Sequence, residues 1–287
     1  MNYKFSRTIR LVILHLMLLL LISGVESKAG ETTDIPNVLG RNHRLNDLCD
    51  DFEDVNWYFD YDKRESNNGL WKANTGDNDK GEPEILKRVS PPAGGIIGST
   101  GALVIQTNIP EKVVDKNKDQ EDSESTGTGQ HKLSREKQPV FIVRVYLPPF
   151  AEWGDYYSFG FRILAYGNAP HDTPAVPSIW IRYEGKIKGA HFYFRIFDKQ
   201  GMPVEVIGKP IKQYGWWTLA IAFDQNGNSR FYAKPGVEPL SNSDKMFDTN
   251  NNNLLIDYIG HSFFSLGYTN GNLSPRIVVD DYEVWEE

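Results

Sequence analysis

Residues 216–233 read WWTLAIAFDQNGNSRFYA, two aromatic-rich runs hinged on a polar tip. At a period of two, Trp217, Leu219, Ile221 and Phe223 fall on one side of a ribbon, and Trp216, Thr218, Ala220 and Ala222 on the other. The tip, DQNGNS, carries Asn226-Gly227, a pair suited to the positive-φ positions of a hairpin turn. Beyond it Phe231 and Ala233 alternate with Arg230 and Tyr232. The fully apolar set reads as one wall of a hydrophobic core, so these aromatics are expected mainly to build that wall.

The same period recurs outward from the hairpin. ALVIQT (102–107), VFIVRVYL (140–147), YSFGFRILA (157–165), SIWIRYE (178–184) and AHFYFRIF (190–197) all read as strands, and so does RIVVDDYEVW (276–285). Gly, Pro, Asn and Asp fill the gaps between them, and no stretch after residue 100 keeps a helical period over three turns. Many short strands with turn signals between them predict an all-β chain, an antiparallel sandwich or barrel. One stretch departs from the pattern. Residues 111–137 are charged, lack aromatics and are nearly devoid of apolar side chains, which predicts a mobile insertion within the domain.

The N-terminus predicts export. Lys4, Arg7 and Arg10 precede an apolar run, Leu11 to Ile22, that only His15 interrupts, and Val25 and Ser27 supply the small residues of a cleavage site after Ser27. The run is about half of the roughly 20 residues that span a bilayer, so after cleavage of residues 1–27 the chain is expected not to cross a membrane. Retention of the run as an uncleaved anchor is the alternative. Residues 28–46 read as an irregular lead-in, and 47–287 as one domain, secreted to the periplasm or the outside. A single cysteine, Cys49, excludes an intrachain disulfide, so the domain must rest on packing. With 31 basic and 38 acidic residues the net charge is −7, which disfavours nucleic acid as a partner.

At the hairpin the chain resembles the concanavalin A-like, laminin-G-type jelly roll. Trp217 to Phe223, Asp224, Asn226-Gly227 and Phe231-Tyr232 match the family's strand, turn and strand. STGALVIQT (99–107), IDYIGHSFF (256–264), VVDDYEVW (278–285) and DDFEDVNW (50–57) resemble further strands of such domains. The resemblance implies an antiparallel two-sheet jelly-roll sandwich over most of residues 50–285. That fold serves lectin-like modules, glucanases, polysaccharide lyases and adhesion domains, so it leaves function open.

Alternation also points to a candidate surface. Arg144 and Tyr146, Arg162, Trp180 and Arg182, and His191, Tyr193 and Arg195 all lie on the faces of their strands opposite the core positions. If those strands are neighbours, they make a basic strip interleaved with aromatics, suited to a carboxylated or sulfated polysaccharide or glycoconjugate. The resulting expectation is a secreted, lectin-like glycan-recognition module. A lyase is an alternative, with arginine neutralising a uronate and Tyr193 or His191 as base, although the alginate-lyase motifs Q-x-H and Y-F-K-x-G are absent. A jelly-roll glycoside hydrolase is weaker, since no E-x-D-x-x-E triplet occurs; Glu82 with Glu84, and Asp281 with Glu283, come nearest. A structural or protein-binding domain, with an ordinary solvated sheet face, is the third reading.

No residue set carries nucleophilic catalysis, and the six histidines show no metal spacing. Asp77, Asp79 and Glu82 imitate the start of a calcium loop, but Gly81 takes the fifth place and no bidentate glutamate follows. A structural Ca2+ there competes with a plain exposed turn.

Overall fold

A computed structural model describes residues 43–74, 85–106, 120–126, 132–153, 157–167, 174–268 and 274–287. In chain order the strands are β1 (His43–Arg44), β2 (Phe59–Asp60), β3 (Glu65–Ser66), β4 (Trp71–Asn74), β5 (Ile85–Val89) and β6 (Ala102–Gln106). They continue as β7 (Gln120–Thr126), β8 (Leu133–Ser134), β9 (Val140–Leu147), β10 (Tyr157–Gly167), β11 (Ser178–Tyr183) and β12 (Ala190–Phe197). The last six are β13 (Pro203–Ile211), β14 (Gly215–Phe223), β15 (Ser229–Pro235), β16 (Lys245–Asp248), β17 (Ile256–Tyr268) and β18 (Ile277–Glu286).

These form two antiparallel sheets. Sheet I runs β16-β15-β14-β9-β18-β6-β5, with β1 also on β18; sheet II runs β13-β12-β11-β10-β17-β7-β4-β3-β2, with β8 also on β17. Neighbours such as β9 and β18 are far apart in sequence, which is the crossing of strands between layers that a jelly-roll sandwich requires. The expected fold class, an antiparallel two-sheet jelly-roll sandwich, is therefore what the strand order shows.

One continuous core joins the inner faces. Trp217, Leu219, Ile221 and Phe223 of β14 are buried there with Phe231, as alternation predicted. Phe192 of sheet II meets Trp217 edge-on at 5.3 Å, and Phe194 meets Phe231 at 5.4 Å. Further along, Trp71 stacks on Phe264 at 5.4 Å and meets Tyr282 edge-on at 5.6 Å. Burial of such rings is the main stabilising force, at about 25 cal/mol per Å² of apolar surface. The segment before β2 is tied in through Asp50. Its carboxylate accepts the indole N–H groups of Trp57 (3.2 Å) and Trp71 (2.7 Å), the Asn68 amide (2.8 Å) and the Phe52 backbone N–H (2.9 Å).

Two expectations change. In the hairpin turn only Gly227 adopts positive φ, +82°; Asn226 does not. The turn is instead closed by the Asp224 side chain, whose Oδ1 accepts the backbone N–H groups of Asn226 (2.9 Å) and Asn228 (3.0 Å). The stretch 111–137, expected as a mobile insertion, is partly built into sheet II. Gln120–Thr126 pairs with β4 and β17, Leu133–Ser134 pairs with β17, and a 3-10 turn follows at Arg135–Lys137. A ladder is made of backbone hydrogen bonds, which polar residues supply as well as apolar ones; composition reports only side-chain burial. The rest of that stretch, residues 1–27 with their cleavage site, residues 28–42, and Asp77, Asp79, Glu82 and Glu84 lie outside the described residues.

Candidate functional site

The two outer faces differ. On sheet I the residues opposite the core are themselves covered. Ala220, Ala222 and Tyr232 pack with Val140, Ile142 and Leu240, while Trp216 packs with Ala102, Val104 and Val278. Pro92 accepts the Trp216 indole N–H at 3.2 Å, and Gly95 lies so close to that ring that a Cβ would sit 3.1 Å from it. Val140, Ile142, Arg144 and Tyr146 of β9 belong to this face. Tyr146 meets Trp216 edge-on at 5.6 Å.

Arg144 is only 5% exposed, and its guanidinium pairs with Glu283 and, at 2.7 Å, with Asp281. The sheet bulges between Asp280 and Glu283, with Asp281 at φ +47°, and so both carboxylates turn toward the one guanidinium. Against the cost of burial, Glu283 and Asp281 hold Arg144 charged. Beside them burial pushes the Asp280 carboxyl up to about 6, although Ser99 donates to it at 3.0 Å. Arg144 and Tyr146 thus stand on the opposite sheet from the other expected site residues, and they are withdrawn from the candidate surface. Alternation tells which side of a strand is the outer one, but not which sheet the strand joins.

The remaining six do converge. Register sets three rows across sheet II: Ser158, Arg182 and His191; Gly160, Trp180, Tyr193 and Ile207; Arg162, Ser178, Arg195 and Glu205. Three guanidinium carbons surround one indole: Arg162 at 5.3 Å, Arg182 at 5.6 Å and Arg195 at 5.4 Å from the Trp180 ring. Gly160, on the neighbouring strand, makes this possible. A Cβ there would lie 2.9 Å from the indole carbons, so only glycine lets the ring fold down across β10. The consequence is that Trp180 is 3% exposed and Tyr193 8%. The outside meets guanidinium groups, with the indole beneath them, so Trp180 offers no face for a sugar to stack on.

Glu205, on β13, is the acidic partner that strand reading missed. Its carboxylate takes Arg182 in a two-pronged pair, 2.7 and 2.5 Å, and Arg195 at 3.1 Å. Those bonds, Arg182 first, hold it below the usual carboxylate range. PVEVIGKPI, broken by two prolines and a glycine, gives a weak strand signal in sequence, although V-E-V itself alternates.

Arg162 donates to Ser265 Oγ at 2.9 Å, and its ring neighbours are Trp180 and Phe263 (4.7 Å). Burial, and next the Arg195 charge, lower its pKa to about 9. Tyr193 donates to Glu184 at 2.7 Å; burial and that carboxylate push its phenol up to about 12. A tyrosine so held is a poor base at neutral pH. Among the described residues no group of acidic, histidine and cysteine side chains is arranged to hold a metal ion.

No protein-family model and no curated protein matches the chain. Among solved structures it is similar to the Emp47p carbohydrate recognition domain at 11% identity, over 85% of this chain and 96% of that one, with a TM-score of 0.48. It is also similar to an endo-beta-1,4-glucuronan lyase from the fungus Trichoderma reesei, at 11% identity over 75% and 94% of the two chains, TM-score 0.44. A third is an alginate lyase from Alteromonas sp. 272, at 11% identity over 71% and 94%, TM-score 0.38. Likeness at this level concerns the course of the chain, and the site is read from its own side chains.

Proposed function

We propose that the outer face of sheet II is a binding surface for an acidic glycan and that the chain is a glycan-recognition module. The observation that carries this reading is the crowding of Arg162, Arg182 and Arg195 around Trp180, three guanidinium groups gathered at one ring. Glu205 answers two of the guanidinium groups from the edge of the sheet. The Arg195 charge still lowers the affinity of Arg162 for a proton, and a carboxylate or sulfate beside the pair offsets that repulsion. Guanidinium forks match such groups in shape as well as charge.

Recognition is favoured over the lyase alternative by the state of Tyr193, one of its two candidate bases. A lyase needs a base beside a neutralised uronate, and the Tyr193 hydroxyl is committed to Glu184 with its proton held more tightly than usual, which leaves that role to His191.

Binding of the 28–287 chain to polygalacturonate, alginate and heparin, against neutral dextran, tests the proposal by calorimetry at low and moderate salt. Selective binding of one or more polyanions, weakened at least about tenfold by Arg182→Ala with Arg195→Ala, is the expected result. Binding to none of them, or equal binding by the double variant, removes the proposal. Rising ultraviolet absorbance from unsaturated uronate during the same titrations would replace recognition by lyase chemistry.

A further inference from the structure

The face continues past Arg162 along β10. The core positions Ile163 and Ala165 are fully buried, while Leu164 and Tyr166 alternate outward and are half-buried. On β17 the residues beside them are Phe263, His261 and Tyr258, also half-buried. Tyr166 lies directly opposite Tyr258, and the two rings stack at 4.6 Å with an interplanar angle of 18°. The Lys132 ammonium stands over the Tyr258 ring at 4.6 Å, and Lys132 itself is exposed.

We propose that Tyr166, Tyr258 and Lys132 form a second contact station for the same glycan chain, one that stacks a sugar ring and pairs an acidic substituent. This rests on the glycan-binding reading of the arginine cluster and extends it to a minimum ligand length. The arginine cluster offers charge but has its indole covered; the tyrosine pair offers aromatic surface at the edge of the same face. With Tyr166 on one side of the Tyr258 ring and Lys132 over it, a sugar in this station would stack on Tyr166. Tyr166 is four positions beyond Arg162, roughly 13 Å along an extended strand. Leu164, Phe263 and His261 make a half-buried floor between, and burial keeps the His261 imidazole toward its neutral form. A disaccharide fills one station; a longer acidic chain fills both.

The test compares disaccharides with octasaccharides of galacturonate and of heparin on the 28–287 chain, by calorimetry across a salt series. The octasaccharide is expected to bind more tightly, and Tyr166→Ala to weaken it about tenfold while leaving the disaccharide unchanged. Tyr166→Phe, which keeps the ring, should restore the octasaccharide affinity and guards against misfolding as the cause. Lys132→Gln, at an exposed position, should flatten the salt dependence of the octasaccharide alone. Tight binding that ignores chain length, or a Tyr166→Ala effect equal for both lengths, overturns the second station and leaves the arginine site standing. Failure of the unaltered chain to bind any of the four probes removes both.

Discussion

At the scale of single residues, Glu205 occupies two of the guanidinium groups of the proposed glycan site, and on that proposal it would compete with an acidic sugar. Its distances to Arg182, 2.7 and 2.5 Å, are those of a fully formed fork, yet the pair is partly exposed and open to exchange. Glu205→Gln keeps the shape and removes the charge. It is expected to raise affinity for polygalacturonate about threefold to tenfold at low salt, a gain that shrinks as salt increases. Unchanged or weaker binding by this variant would show that the arginines do not meet the ligand's anion. On the other sheet, Asp280 is the residue with a legible pH signature. Burial raises its folded pKa to about 6 while the unfolded value stays in the ordinary range, so the folded state holds the proton more tightly. Its contribution to stability is therefore present below the unfolded pKa and is lost as pH rises through about 6. Asp280→Asn removes that loss. Relative to the unaltered protein it should gain on the order of 2 kcal/mol between pH 4 and pH 7.5, read from urea unfolding at the two pH values.

At the scale of elements, the β14–β15 hairpin shows how sequence and packing share the work. The two runs pair in register from Trp217 with Pro235 to Phe223 with Ser229, as their alternation demands. Gly227 is required for two reasons that only one of its neighbours explains. Its φ of +82° is local turn chemistry, but a Cβ would also fall 2.4 Å from the carbonyl oxygen of Ile256, where β17 begins. The backbone of the turn bonds that residue, Ile256 N–H donating to Gly227 at 2.9 Å. Gly227→Ala should therefore destabilise the protein by about 2 kcal/mol or more and raise hydrogen exchange at the start of β17 as well as in the hairpin. An effect confined to the turn would mean that the contact with β17 yields freely. Asn226, by contrast, was legible only as a turn former, and its conformation was set by the Asp224 side chain.

Across the whole molecule, the eight strands read from alternation in residues 102–285 are all present, because burying one side of a ribbon imposes a period that composition alone records. The short strands β2, β3 and β8, and the polar strand β7, carry no such period and were invisible to it. Of the eight expected ligand-binding residues, six share the outer face of sheet II: Arg162, Trp180, Arg182, His191, Tyr193 and Arg195. The two on β9, Arg144 and Tyr146, lie under cover on sheet I. The amino-acid sequence by itself determined that the chain is an antiparallel sandwich, which side of each long strand faces inward, and that its outward sides carry arginine among aromatics. Only the tertiary structure decided which strands are neighbours, that loops roof the outer face of sheet I, and that Trp180 is sheathed by guanidinium groups. The reason is physical: side-chain alternation is a property of one strand, whereas sheet membership and loop cover depend on contacts between residues a hundred or more positions apart.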